Sequence, residues 1–221
     1  MNENTKKLSN LGMLSALAII SVLLVRIPLM PAAPFLTYDP KDVIIVIAGF
    51  IYGPLAAFMM AVVVAFVEMI TVSETGIIGL IMNVVASSAF ACTAAFIYKR
   101  KRTLNGAVAG LMTAWIFTTV VMVLWNYLIT PLFMEVPRHV VVGMLLPVFV
   151  PFNLLKGGLN AGFAMLLYKP FKSAASAANL MNISTESSEQ NKANIGVILG
   201  SLCVILICIL IVGALILRHN S

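Results

Sequence analysis

This chain is short of charge and nearly without histidine. Asp, Glu, Lys and Arg make up only 10% of its 221 residues and there are 2 histidines, against roughly 25% charged residues in ordinary soluble domains. With 61% hydrophobic residues and a mean hydropathy of +1.05, a soluble globular domain is excluded. His139 falls in a loop and His219 in the tail, so no His/Asp/Glu cluster keeps metal-ligand spacing and no metal site is expected. Nor is there a Ser/His arrangement for nucleophilic catalysis, and a membrane enzyme is not expected. A GxxxxGK[ST] phosphate loop is missing too, so the chain does not hydrolyse ATP by that route. The 3 cysteines, Cys92, Cys203 and Cys208, sit in apolar runs without a CxxC pair, which fits small apolar packing.

What the sequence has is long apolar runs. A bilayer span takes about 20 residues, and six or seven such spans fit an all-α integral membrane protein. The first is expected over residues 8–25. Its start resembles a signal peptide, with Pro31-Ala32-Ala33-Pro34 as a small-residue site, but prolines there argue against cleavage, so it is kept as a mature helix. Prolines at 28, 31 and 34 make the next connection a rigid loop. Asp39-Pro40-Lys41-Asp42 then reads as a helix start, with Asp39 as N-cap and Pro40 at the first helical position. The helix that follows stops at Tyr52-Gly53-Pro54, too short to span an untilted bilayer, so it should be packed in protein or line a cavity. Further spans are expected over residues 55–71, 77–98, 106–128 and 141–168, the last two joined by a loop over 130–140.

Charge asymmetry gives the orientation. Lys6, Lys7, Lys99-Arg100-Lys101-Arg102, Lys169, Lys172 and Lys192 collect on one side, while Arg26, Lys41 and Arg138 share the other with most of the acids. Short loops rich in Lys and Arg stay inside. The amino terminus is therefore expected in the cytoplasm of a multi-pass cell-membrane protein, and topology rather than nucleic acid explains the net charge of +6.

The polar residues inside these runs are the candidate sites. Lys156, in Phe152-Asn153-Leu154-Leu155-Lys156-Gly157-Gly158-Leu159-Asn160, reads as an uncompensated intramembrane charge. It costs at least roughly 2.5 kcal/mol on insertion scales, which marks a functional position. At about 100° per residue Asn153, Lys156 and Asn160 share one narrow sector. That stripe either faces a ligand cavity or glues helices together. Asn126, within Trp125-Asn126-Tyr127, suits a planar ligand, though the aromatics around it also fit an interfacial belt. Asn83 lines the same cavity or bonds a neighbouring backbone; Glu68 touches ligand or sits at the interface. The 13 methionines are read as lipid-facing or core filler. Gly12 and Ala16 give the first helix a small-xxx-small face that admits a close partner.

Two segments carry a family resemblance: Trp125-Asn126-Tyr127-Leu128-Ile129-Thr130-Pro131-Leu132-Phe133-Met134, and Met144-Leu145-Leu146-Pro147-Val148-Phe149-Val150-Pro151-Phe152 continuing through Lys156-Gly157-Gly158-Leu159-Asn160. Together with Tyr38-Asp39-Pro40-Lys41-Asp42-Val43, they resemble the riboflavin-specific substrate-binding (S) component of energy-coupling factor transporters, over about residues 8–172. The resemblance implies a six-helix bundle that captures the vitamin from outside and takes it inward, with the first loop as a lid. The whole subunit is thought to topple in the membrane to release vitamin inside. It implies that Asn126, Asn153 and Lys156 hydrogen-bond the flavin ring, with Tyr38 and Asp39 in the lid and Glu68 and Asn83 as further cavity residues. It implies Gly12 and Ala16 against a transmembrane coupling subunit, two ATP-binding cassette ATPases supplying energy, and riboflavin as transported substrate with no cofactor.

Residues 1–172 are accordingly expected to form the vitamin-binding membrane domain, 173–194 a flexible Ser/Ala/Asn-rich linker and 195–217 an additional transmembrane helix that departs from the six-helix pattern. The alternatives are an S component for another vitamin, such as thiamine or biotin, or a membrane scaffold without a pocket.

Overall fold

An apolar chain in a bilayer must satisfy its backbone hydrogen bonds within each segment, and helices do this. The computed structural model describes residues 3–30, 33–177, 196 and 198–211. Helix α1 spans Glu3–Leu24, and a short antiparallel ribbon follows. Its strands, β1 (Ile27–Pro28) and β2 (Thr37–Tyr38), place Ile27 opposite Tyr38 and Pro28 opposite Thr37. The Pro31-Ala32 half of the weighed cleavage site lies outside the described residues.

Helix α2 (Lys41–Tyr52) is the short one, and it is buried along most of its length. It touches α1 and, further on, α3 (Pro54–Thr71), α4 (Gly76–Arg100) and the last long helix. Its close seat against α4 needs Gly49, where a Cβ would come within 2.9 Å of the Ala95 side chain. The break before α3 is set by Gly53, at φ +92°, a region that side chains disfavour, with Pro54 at the head of the next helix. One expectation shifts here. Pro40 is the cap residue and the helix begins at Lys41. The Asp39 carboxylate, favoured by the Lys41 backbone amide, is also drawn to two lysine side chains.

Helix α5 runs Leu104–Leu128, capped by the Thr103 hydroxyl, which accepts from the Gly106 amide. The loop expected over 130–140 is partly helical: α6 covers Thr130–Met134, and α7 (Arg138–Met144) already belongs to the last long helix. A π-turn at Leu145–Phe149 joins α7 to α8 (Val150–Ala177). Pro147 has no N–H to donate, and the wider turn closes instead from the Val150 amide to the Leu145 carbonyl. Five helices are long and apolar enough to cross a membrane, the last of them the run Arg138–Ser173. With buried α2 they make the all-α membrane bundle that the sequence suggests.

The main core lies around α2, where Phe50, Tyr98 and Tyr168 meet with ring centroids 4.5 to 6.1 Å apart and the two phenols hydrogen-bond at 3.0 Å. A second cluster joins Leu29, Met30, Ala33, Leu36 and Tyr38 of the ribbon segment to Phe149, Phe152, Leu155 and Leu159. A final apolar helix, α9 (Ile198–Ile211), contributes Ile205 and Cys208 to that cluster. Residues 178–195 and 212–217, and with them most of the expected linker and the end of the seventh span, lie outside the described residues.

Candidate functional site

The ribbon segment folds over the ends of α3, α4, α5 and α8 and closes a polar cavity. Arg26 fastens its base, donating to the Val72 carbonyl and, at 3.4 Å, to the Thr37 hydroxyl. Phe35, Leu36, Thr37 and Asp39 form the cover; Glu68, Asn83, Asn126, Asn153 and Lys156 reach in from the four helices. The free volume is about 40 Å³, whereas small-molecule sites run to roughly 300 Å³ or more. A multi-ring ligand needs more room than these side chains leave and requires the cover or the side chains to withdraw.

Lys156 has partners, contrary to its reading as an uncompensated charge. Its Nζ donates to Asp39 Oδ2 at 2.9 Å and to the Thr37 carbonyl at 3.4 Å. Both acceptors lie on the ribbon segment, so the ion pair also holds the cover down. Burial alone would raise the Asp39 carboxyl, but Lys156 and then Lys41 outweigh it and keep the carboxyl below the ordinary value of 3.8. At neutral pH the Asp39 carboxyl is therefore ionised in this pair.

The two amides are held by their own helices. Asn126, 1% exposed, donates to the Met122 carbonyl at 2.6 Å and accepts from the Thr130 hydroxyl at 2.8 Å. Asn153 donates to the Phe149 carbonyl at 2.8 Å. Each arrangement fixes the rotamer and turns the amide towards the cavity, where a ligand can meet the remaining donor or acceptor. Asn160 is not among the lining residues. It lies below, giving its amide to Asp42 Oδ2 at 3.2 Å, while Ser87 donates to the other oxygen of Asp42.

Six expected residues thus come together around one space: Asp39, Glu68, Asn83, Asn126, Asn153 and Lys156. Tyr38 does not line it. Its side chain is buried in the second apolar cluster, and its phenol is pushed above its ordinary range by burial, then by Asp39 and Asp42. Gly12 and Ala16 lie on the exposed face of α1, and nothing comes within 4 Å of a Cβ built on Gly12. Among the described residues no group of three His, Cys, Asp or Glu side chains is placed to hold a metal ion.

Lys41 was not singled out by the sequence. It is wholly buried, in contact with the Glu68 carboxylate and 3.6 Å from Asp39. Charge balance was the available signal: Glu68 lies in an apolar helix and needs a cation, and Lys41 opens the neighbouring one.

The family of the chain is shown by comparison with known proteins. Residues 6–168 match the model of the family described as ECF transporter, substrate-specific component. The chain is 31% identical over 175 residues to the riboflavin transporter RibU of Staphylococcus aureus, covering 76% of this chain and 90% of that protein. It is 30% identical over 179 residues to RibU of Streptococcus thermophilus, covering 77% and 84%. To the riboflavin transporter FmnP of Bacillus subtilis it is 31% identical over 166 residues, covering 69% and 84%. A solved structure described as the S component of a bacterial ECF transporter superposes with a TM-score of 0.66 at 31% identity, over 77% of this chain and 98% of that one. A multi-pass bundle with a covered polar cavity, matched along most of its length, the chain belongs to the substrate-specific components of ECF transporters.

Proposed function

We propose that the chain is the riboflavin-capturing subunit of an energy-coupling factor uptake transporter, and that Lys156, Asn153 and Asn126 hydrogen-bond the flavin ring. The chain is no enzyme; its work is capture and delivery. The observation that carries the ligand reading is the convergence of one lysine and two rotamer-locked amides, from α5 and α8, on a single covered cavity. A flavin ring offers carbonyl and nitrogen acceptors in a plane, and ammonium and amide N–H groups are donors for them. The relatives named as riboflavin transporters support the same ligand.

Asp39 and the ribbon segment serve as the lid; Glu68 and Asn83 complete the wall. Riboflavin is the cargo, and no cofactor takes part. Energy comes from partners, a transmembrane coupling subunit and two ATP-binding cassette ATPases, with the exposed Gly12 and Ala16 face of α1 as the contact for the coupling subunit. The amino terminus and the Lys99–Arg102 turn lie in the cytoplasm and the lid faces outside, which supports entry from that side. Residues 1–172 are the vitamin-binding unit, 173–194 the linker and 195–217 an added span.

The test is riboflavin titration of the full chain in detergent. Lys156→Ala and Asn153→Ala should each weaken binding by about 1 to 3 kcal/mol, the range for leaving a buried hydrogen-bonding group unmatched. Unchanged affinity in both variants would sink the assignment of these residues.

A further inference from the structure

The ligand lysine is one end of a buried chain of alternating charge. Glu68 of α3 contacts Lys41 of α2; Lys41 lies 3.6 Å from Asp39 Oδ1; Asp39 Oδ2 takes Lys156 of α8 at 2.9 Å. Lys41, Asp39 and Glu68 are 0%, 2% and 5% exposed, so bulk water cannot compensate for a missing partner. Two more charged groups face this chain, and one of them, Asp42, lies within the electrostatic reach of Lys156, Asp39 and Lys41. Asp42 of α2 holds Ser87 of α4 and Asn160 of α8, and Arg26 at the end of α1 holds Thr37 and Val72.

In this geometry Lys41 determines how strongly Asp39 holds Lys156. With Lys41 present, two cations face Asp39, Glu68 and the neighbouring Asp42, and Asp39 is shared. Without it, these carboxylates would depend on Lys156 alone. Lys156 would then be held by the carboxylates and withdrawn from a ligand, and two like charges at close range would favour uptake of a proton.

We propose that Lys41 is a positioning residue for the ligand site, and that the buried Glu68–Lys41 pair sets the availability of Lys156 to a flavin carbonyl. The inference rests on the riboflavin reading above. Lys41 touches no cavity surface and acts through Asp39.

The experiment is riboflavin titration of the purified full chain across a pH series, with wild type, Lys41→Met, Glu68→Gln and the double variant Lys41→Met/Glu68→Gln. Wild-type affinity should change little between about pH 5.5 and pH 8, since Lys156 and Lys41 hold the Asp39 carboxyl below its ordinary value. Lys41→Met should bind about tenfold or more weakly at about pH 8 and recover towards wild type as a carboxylate takes up a proton at lower pH. The double variant removes one anion together with the cation, so its affinity should return to within a few-fold of Glu68→Gln alone, with a flat profile.

A folded Lys41→Met protein with wild-type affinity at every pH would overturn the proposal. Equal weakening at all pH values, carried over into the double variant, would also overturn it, because that is the signature of a residue needed only for packing. Should Lys41→Met fail to fold, the double variant decides: binding at the level of Glu68→Gln supports the proposal and a tenfold deficit against Glu68→Gln refutes it. If neither Lys41 variant folds and Glu68→Gln binds as wild type does, Lys41 serves the fold alone and the proposal falls. Loss of riboflavin binding in the wild type itself would be a different failure, overturning the flavin reading and this inference with it.

Discussion

The two faces of α8 do opposite things with the same helix. One carries Asn153, Lys156 and Asn160 into a polar layer with the lid and α2. At about 100° per residue, Gly158 and Gly162 point roughly the other way. There α9 packs antiparallel, with Cys208 over Gly158 and Ile205 over Gly162. A Cβ on Gly162 would lie 2.7 Å from Ile205 Cγ1, and one on Gly158 would lie 3.1 Å from Cys208 Sγ. The first face is held by charges and amides that each need a specific partner. The second is held by close approach of surfaces that need only be small and smooth. Damage to the first should therefore lower both stability and ligand affinity, and damage to the second stability alone.

The largest effect is expected on the polar face. Asp39→Ala leaves Lys41 and Lys156 with one buried carboxylate fewer and should cost about 3 to 5 kcal/mol of stability, the range for removing one partner of a buried ion pair. Thermal unfolding of the purified chain checks this. A loss below about 1 kcal/mol would place the lid pair with weak surface pairs instead. Gly162→Leu should cost about 1 to 3 kcal/mol by forcing bulk against Ile205. Because Lys156 is on the other face, riboflavin affinity should stay near wild type. A loss of affinity as large as that of Lys156→Ala would mean the two faces are not independent.

A smaller effect concerns the seam between α5 and α8. Trp115 Nε1 donates to the Leu154 carbonyl at 2.9 Å. Trp115→Phe removes that bond while keeping an aromatic ring, and should lower stability by about 0.5 to 1.5 kcal/mol. Acid titration sharpens the comparison further. The Asp39 carboxyl is held below 3.8 in the folded chain. Its stabilisation is thus complete above that unfolded value and is lost as pH falls through the lower folded value. Melting temperature followed from neutral pH into acid should drop less steeply below about pH 4 in Asp39→Asn than in wild type. Parallel curves would show that Asp39 contributes nothing to the acid limb.

Much of the bundle was legible because hydropathy and turn chemistry are local. The ends of α3 to α5 fall within a few residues of the expected spans, since Pro54, the Ser73–Gly76 turn and the Lys99–Arg102 run mark them in sequence. The expected loop over 130–140 was wrong in part for an equally local reason. Polar and proline residues there mask a helix start, with Pro131 inside α6 and Pro137 just ahead of α7. The Asn153 and Lys156 stripe was readable from helical spacing, and the non-helical connection after α1 from its prolines. The partners of Lys156 and Lys41 were not, because the pairs bring together residues 117 and 27 positions apart in sequence. The Asn160 amide shows the same limit: its sector was right, but only packing against α2 decides that it meets Asp42 rather than the cavity.

The most direct test of the ligand site is the visible absorbance spectrum of the purified full chain followed by riboflavin fluorescence titration. Flavin bands in the preparation, or stoichiometric quenching that Lys156→Ala weakens and Gly162→Leu leaves intact, is the expected result. A colourless protein that leaves riboflavin fluorescence unchanged would contradict it.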